Sequence, residues 1–164
     1  MDTSTVDPIF DIPRPEDRQR IAQMLARDMA DLKVFRTEAE LLTVSDLILE
    51  DDGRSSFCRV VRPGPGEPAV GLVLANITFS VKFAGKALWI ENLYVDHEWR
   101  KLGLGRRLVA HLLDWAEING IRGIDLEAYQ DNAPASVLYR SLGFERLGRE
   151  RFWFSFAWLE GNDL

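Results

Sequence analysis

The chain of 164 residues has a single cysteine, Cys58, so no intrachain disulfide can form. Cys58 sits in SSFCRVVR, a strand-like stretch, and is expected to pack as a small hydrophobe. Histidine is nearly as scarce: His97 and His111 have no local pairing with Cys58 that would mark a nucleophile and its base. No run of about 18 apolar residues occurs, so no membrane contact by a spanning helix is expected. The opening MDTSTVDPIF lacks the basic and then apolar pattern of a secretory signal, and a cytoplasmic location is the expectation. Basic residues are in deficit. Lys and Arg number 20 against 26 Asp and Glu, for a net charge of −6, which speaks against nucleic acid as a partner.

The composition present is that of a folded protein, 46% hydrophobic and 28% charged. A chain of this length buries roughly 70% of its unfolded surface in one core. Residues 1–164 are therefore read as a single domain, without internal repeats or low-complexity tracts.

Residues 8–13 read as a short strand between prolines. Arg14-Pro15-Glu16-Asp17 opens a helix whose Ile21, Met24, Leu25, Met29 and Leu32 recur at helical spacing. Thr37 and Glu40 fit a capping box for a second helix over 38–50, with Leu41, Leu42, Leu47 and Leu49 on its apolar side. Strands follow at 56–62, 69–79 and 88–95, spaced as antiparallel hairpins. Leu104, Leu108, Leu112, Trp115 and Ala116 mark the buried face of a third helix, closed by Asn119-Gly120. A strand at 124–128 returns to the sheet by a crossover. A fourth helix over 132–142 ends at Gly143, and 144–147 and 151–158 read as two last strands.

Three constellations could carry chemistry. The first is Arg100-Lys101-Leu102-Gly103-Leu104-Gly105-Arg106-Arg107, between a strand and a helix. Glycines let backbone approach a ligand, and the helix dipole favours an anion such as pyrophosphate. The same residues also make an ordinary strand-to-helix turn with solvated cations, and both readings stand at this point. Other glycine motifs fail: a dinucleotide fingerprint would need glycine where Leu108 stands, and no Gly-Lys-Ser/Thr is present. The second constellation runs from Asn132 to Phe144. Tyr139 lies two helical turns beyond Asn132 and is either a proton donor or a buried aromatic. The third is Glu91, a carboxylate within Trp89-Ile90-Glu91-Asn92-Leu93. It either faces solvent by alternation or serves as a general base at a cleft edge.

Taken together, the strand ending Leu93-Tyr94-Val95, the loop Arg100-x-x-Gly103-x-Gly105 and the segment Asn132-x-x-Ala135-x-x-Leu138-Tyr139-x-x-x-Gly143-Phe144 resemble the GCN5-related N-acetyltransferase (GNAT) family. Within it the chain is similar to the diamine (spermidine/spermine) and thialysine acetyltransferase branch. Gly85-Lys86, Trp89 to Val95, Thr37-Glu38 with Leu41-Leu42, and Trp153 carry that likeness. Asn92 departs from it, standing where polyamine enzymes tend to have aspartate. Lys33 and Arg151 lie near positions where acids would hold a polycation.

The resemblance implies an α/β (α+β) fold, a mixed central sheet of about seven strands splayed between the fourth and fifth and flanked by four helices. It implies acetyl-CoA as cosubstrate and no metal. Leu93, Tyr94 and Val95 would pair with the pantetheine arm. Backbone N–H groups from Arg100 through Lys101, Leu102, Gly103, Leu104 and Gly105 to Arg106 would hold the pyrophosphate, with a contact from Asn132. Glu91 would be the base, Tyr139 the acid, and Glu91, Asn92 and Trp153 the amine-binding residues. The acceptor is a small-molecule primary amine, with two other functions open: a protein lysine or N-terminal acetyltransferase, and a non-catalytic acyl-CoA-binding module. The branch also implies a homodimer, for which the aromatic run Phe152, Trp153, Phe154, Phe156 and Trp158 is a suitable surface.

Overall fold

The computed structural model describes residues 7–155. The chain divides after Leu126 into two compact units. The first contains strands β1 (Ile9–Asp11), β2 (Ser56–Arg62), β3 (Gly71–Ser80), β4 (Gly85–Val95) and β5 (Gly123–Leu126), with helices α1 (Arg18–Asp31), α2 (Glu38–Glu50) and α3 (Leu104–Ile118). The second contains α4 (Ala133–Ser141).

The sheet order is β1-β2-β3-β4-β5, antiparallel from β1 to β4, with β5 parallel to β4. Alternation sorts its side chains onto two faces. Cys58, Val60, Leu72, Leu74 and Tyr94 pack with Ile21, Ala22, Met24 and Leu25 of α1 and Leu41 of α2. Phe57 is one register step from Cys58 and so points to the other face, where its ring meets Trp115 of α3 at 5.1 Å. The α3 stripe on that face is Leu104, Leu108, Val109, Leu112 and Ala116, all buried. The capping box forms as read: the Thr37 side chain accepts from Glu40 N–H, and the Glu40 carboxylate accepts from Thr37 N–H at 2.8 Å.

Some expectations are corrected. The described residues hold five strands rather than seven. Residues 144–147 form none, because Phe144 and Leu147 are three apart and share no strand face. Residues 151–155 form none either, the aromatics there being consecutive rather than alternating; 156–158 lie outside the described residues. Leu47 is 63% exposed on α2, whose inner side is Leu41 with Leu42, Ile48 and Leu49. β4 begins at Gly85, three residues before the strand start read at 88, and the β3–β4 connection is a short turn over 81–84. Burial pushes the Cys58 thiol up to about 12, where it is inert as a nucleophile. Among the described residues no helix is long and apolar enough to cross a membrane.

Candidate active site

The end of β4 is irregular in a way that matters for chemistry. Ile90 pairs with Ala75 and Asn92 pairs with Leu74, so Glu91 is an extra residue with no partner of its own on β3. Such a bulge re-aims the side chains that follow it. Asn92 and Tyr94 consequently turn to the α1 face. Glu91 is exposed, and its Oε2 accepts from Asn76 Nδ2 at 3.5 Å.

Among the described residues, β4 beyond the bulge pairs with β3 alone, since the β5 register ends at the pair Ile90 and Leu126. Asp96 N–H donates to Val70 O at 2.8 Å. Counting back by twos, Tyr94 directs its backbone polar groups toward β3, whereas Leu93 and Val95 direct theirs to the open side. In agreement, a Cβ placed on Gly71 of β3 would lie 2.8 Å from Tyr94 O. Of the three residues expected to pair with an extended ligand, Leu93 and Val95 thus present outward backbone groups and Tyr94 does not.

Val95 leads into Asp96, which is 5% exposed and gathers three partners: Arg20 Nη2, Arg27 Nη1 at 2.9 Å and the Tyr94 hydroxyl at 3.2 Å. This hub binds α1 to the end of β4. Burial and the Asp96 charge together push the Tyr94 phenol up. A short 3₁₀ turn, His97–Trp99, follows.

In the basic loop Lys101 (φ 64) and Gly103 (φ 78) are both left-handed, a backbone of the kind that gathers N–H groups into an anion-holding concavity. Gly103 is the N-cap of α3 and makes no side-chain cap, so the first N–H groups of the helix face outward uncapped with the dipole behind them. Leu102, Lys101 and Arg106 are exposed around this point, and Leu104 is buried as the first core residue of α3. The four cations do not all surround the loop. Arg107 turns to β1, lying over the Phe10 ring at 4.6 Å and bonding Asp7 at 3.3 Å. Arg100 is exposed, but its Nε donates to Val95 O at 2.8 Å, and its own backbone N–H already donates to His97 O at 3.3 Å.

Asn92 Nδ2 donates to Asp28 Oδ2 of α1 at 2.6 Å. Asp28 was not singled out from sequence, although the signal was there: it stands at helical spacing from Met24, Leu25 and Leu32, a charge on an apolar stripe. Burial pushes its carboxyl up, the Asn92 bond pulls it down, neighbouring Asp31 raises it and Arg100 lowers it, with burial dominant. A carboxyl whose folded pKa is raised stabilises the protein below its ordinary value of 3.8 and loses that contribution as pH rises through the raised value. Asp28→Asn keeps an acceptor for Asn92 and removes the charge. It is therefore expected to melt higher than wild type at neutral pH, with the gap closing as pH falls below about 4. Melting curves across pH check this; a variant that melts lower at pH 7 would contradict it.

In the second unit, Asn132 caps α4, its Oδ1 accepting from Ala135 N–H at 3.3 Å, with Pro134 in the first turn. At the other end Gly143 (φ 91) closes a Schellman motif: Phe144 N–H donates to Tyr139 O and Gly143 N–H to Arg140 O, both at 3.0 Å. The accompanying apolar contact is Tyr139 against Phe144, edge-on with centroids 5.6 Å apart. The motif thereby fixes the Tyr139 ring. Arg151 pairs with Glu127, and Trp153 lies in the strandless segment 151–155.

The first unit thus brings Glu91, Asn92, Leu93, Val95 and the 101–106 loop onto one strand end, with Asp28 and Asp96 as the members that sequence reasoning missed. The second sets Asn132 and Tyr139 at opposite ends of one helix.

The model of the Acetyltransferase (GNAT) family matches residues 18–144. The ribosomal protein bS18-alanine N-acetyltransferase of Escherichia coli (strain K12) is 45% identical over 53 residues, 32% of this chain and 36% of that protein. The thialysine N-epsilon-acetyltransferase of Sus scrofa is 27% identical over 142 residues, 80% of this chain and 83% of that one. The chain spans less than half the length of the bacterial relatives it matches, from 17% to 45%. A solved aminoglycoside N-acetyltransferase in complex with CoA aligns with a TM-score of 0.76 over 95% of this chain and 99% of that chain. Its 15% identity makes this a likeness of fold alone.

Proposed function

The chain belongs to the GNAT acetyltransferase family, and from that membership we propose that it is an acetyl-CoA-dependent N-acetyltransferase. It acts by direct transfer on the primary amine of a small molecule: a polyamine, a diamine or an amino-acid-like amine. The observation that carries the reading is the end of β4, where outward backbone groups at Leu93 and Val95 run into a left-handed loop and an uncapped helix N-terminus. An extended amide-bearing arm joined to a pyrophosphate fits that sequence of features.

Acetyl-CoA supplies an acetyl group activated as a thioester. The backbone of Leu93 and Val95 holds the pantetheine arm, the N–H groups from Lys101 to Arg106 hold the pyrophosphate, and Asn132 adds its remaining amide donors. Asn92 and Trp153 border the amine. Glu91 takes the proton that an ammonium must lose before it attacks, through a water molecule. Val95 N–H meets the charge that develops on the carbonyl oxygen. Tyr139 gives a proton to the departing sulfur. Residues 1–164 act as one catalytic domain, cytoplasmic and homodimeric as in the diamine branch.

The stretch 45% identical to an enzyme acting on a ribosomal protein's alanine favours a second acceptor, the N-terminal amine of a protein. One assay separates the two. Acetyl-CoA consumption is measured with polyamines, diamines, thialysine and a peptide bearing N-terminal alanine. Turnover on the peptide alone would replace the small-amine reading, and no turnover on any would remove the enzymatic one. The loop is tested separately. Gly103→Val forces a β-branched residue to φ 78 and is expected to weaken CoA binding about tenfold or more by calorimetry. Normal affinity would sink the loop's assignment.

A further inference from the structure

Resting on the acetyl-CoA reading above, we propose that the Arg100 guanidinium is a positioning group for the cofactor edge and not a ligand of phosphate. Its donors are directed inward. Nε donates to Val95 O at 2.8 Å, and Nη2 lies 3.5 Å from Asp31 Oδ2 at the end of α1. The guanidinium carbon sits 5.5 Å from the centre of the Tyr94 ring. A guanidinium placed this way addresses the strand end through Nε and α1 through Nη2, with the Tyr94 ring beside it.

The consequence concerns Val95. Its carbonyl points away from β3, where, among the described residues, it would otherwise be an unpaired acceptor. Arg100 occupies it, which leaves the Val95 N–H as the last free backbone group of the edge. The same side chain spans from that carbonyl to Asp31 of α1, so the strand end is tied to this helix twice: by Arg20 and Arg27 through Asp96, and by Arg100 through Val95 itself. Arginine suits the task because its planar fork addresses two acceptors at fixed angles. Phosphate is then left to the backbone N–H groups of the loop.

Glutamine and methionine at this position discriminate the two roles. In Arg100→Gln the amide nitrogen occupies the place of Arg Nε, so the bond to Val95 O can persist without charge. In Arg100→Met it cannot. CoA affinity is read by calorimetry at low and high salt, and kcat and KM for acetyl-CoA by initial rates, on the full chain. For a positioning role, Arg100→Gln keeps the CoA Kd, its salt dependence and kcat within about threefold, while Arg100→Met lowers kcat about tenfold at an unchanged melting temperature. If both variants lose CoA affinity alike and their salt dependence flattens, Arg100 is a phosphate ligand and the proposal is overturned. It is equally overturned if Arg100→Met turns over like wild type. Failure of the wild-type chain to bind CoA is seen before any variant is made, and would remove the acetyl-CoA reading together with this one.

Discussion

Replacing Tyr139 by phenylalanine is expected to lower kcat about 10²–10⁴-fold while leaving CoA affinity within about twofold of wild type. The reason is local. The ring's position comes from the Schellman closure at Gly143 and the edge contact with Phe144, and neither involves the hydroxyl. Phenylalanine retains both, so the substitution removes the hydroxyl while these two contacts stay in place. A thiolate leaving without a proton departs slowly at neutral pH, whereas a base can be replaced in part by bulk water. For that reason Tyr139→Phe should be far more damaging than Glu91→Gln. Steady-state rates, calorimetry with CoA and a melting curve on one preparation check the claim together. Unchanged turnover would end the assignment of Tyr139 as acid. A parallel loss of CoA affinity would make it a binding residue instead.

The parts of the fold that were legible in the sequence are those governed by neighbours along the chain. The second helix begins at a capping box, Thr37 with Glu40, which is complete within four residues. The fourth is bracketed by Asn132 with Pro134 and by Gly143, so both of its ends could be read. Side-chain direction was not legible. Arg100, Lys101, Arg106 and Arg107 look alike as a string of charges, yet Arg107 stacks on Phe10, brought to it by a strand almost a hundred residues earlier. The bulge at Glu91 was hidden as well. Trp89-Ile90-Glu91-Asn92 offers no glycine to announce it, and it exists only in the register with β3. That one extra residue is what turns Asn92 toward Asp28. The loop and strand end could thus be read from sequence, whereas the contact of Asn92 with an acid on α1 could not.

The last two strands failed to appear among the described residues for a related reason. Aromatic density predicts burial, but a strand also needs alternation and a neighbour. Residues 151–155 provide aromatics without the first. The amine subsite assigned to Trp153 and Asn92 therefore rests on the family resemblance; what the structure adds is the bond of 2.6 Å from Asn92 to Asp28. Acceptor specificity is best sought first from the α1 side. There Asp28 sets a carboxyl beside Asn92, the position where polyamine enzymes tend to have aspartate.

Removal of the Asp17 carboxylate is expected to be the most destabilising single change outside the apolar core. Asp17 ends the turn before α1, and Arg62 ends β2. They meet through two bonds, Nη1 to Oδ1 at 2.9 Å and Nη2 to Oδ2 at 2.5 Å, with 4% and 6% exposure. Asp17 also accepts the Arg14 N–H at 2.7 Å, and Arg62 reaches Glu67 O at 3.3 Å. Arg62 Nε is buried and has no partner. Asp17→Ala therefore strands a guanidinium that is already imperfectly satisfied, at a loss of about 3–5 kcal/mol. For a chain of this size that is a fall in Tm of about 6–20 °C. The sign reverses for the pair as a whole. Desolvating two ions offsets most of their attraction, and the unpartnered Nε adds to the cost. Asp17→Asn with Arg62→Met retains the Arg14 bond through the Asn oxygen and removes both charges. The double variant should recover most of the loss, melting within a few degrees of wild type. Urea and thermal unfolding of the two singles and the double give the coupling directly. If Asp17→Ala melts like wild type, the ion pair is dispensable. If the double is as unstable as Asp17→Ala, the charge pair itself, and not the rescue of a stranded cation, holds β2 to the start of α1.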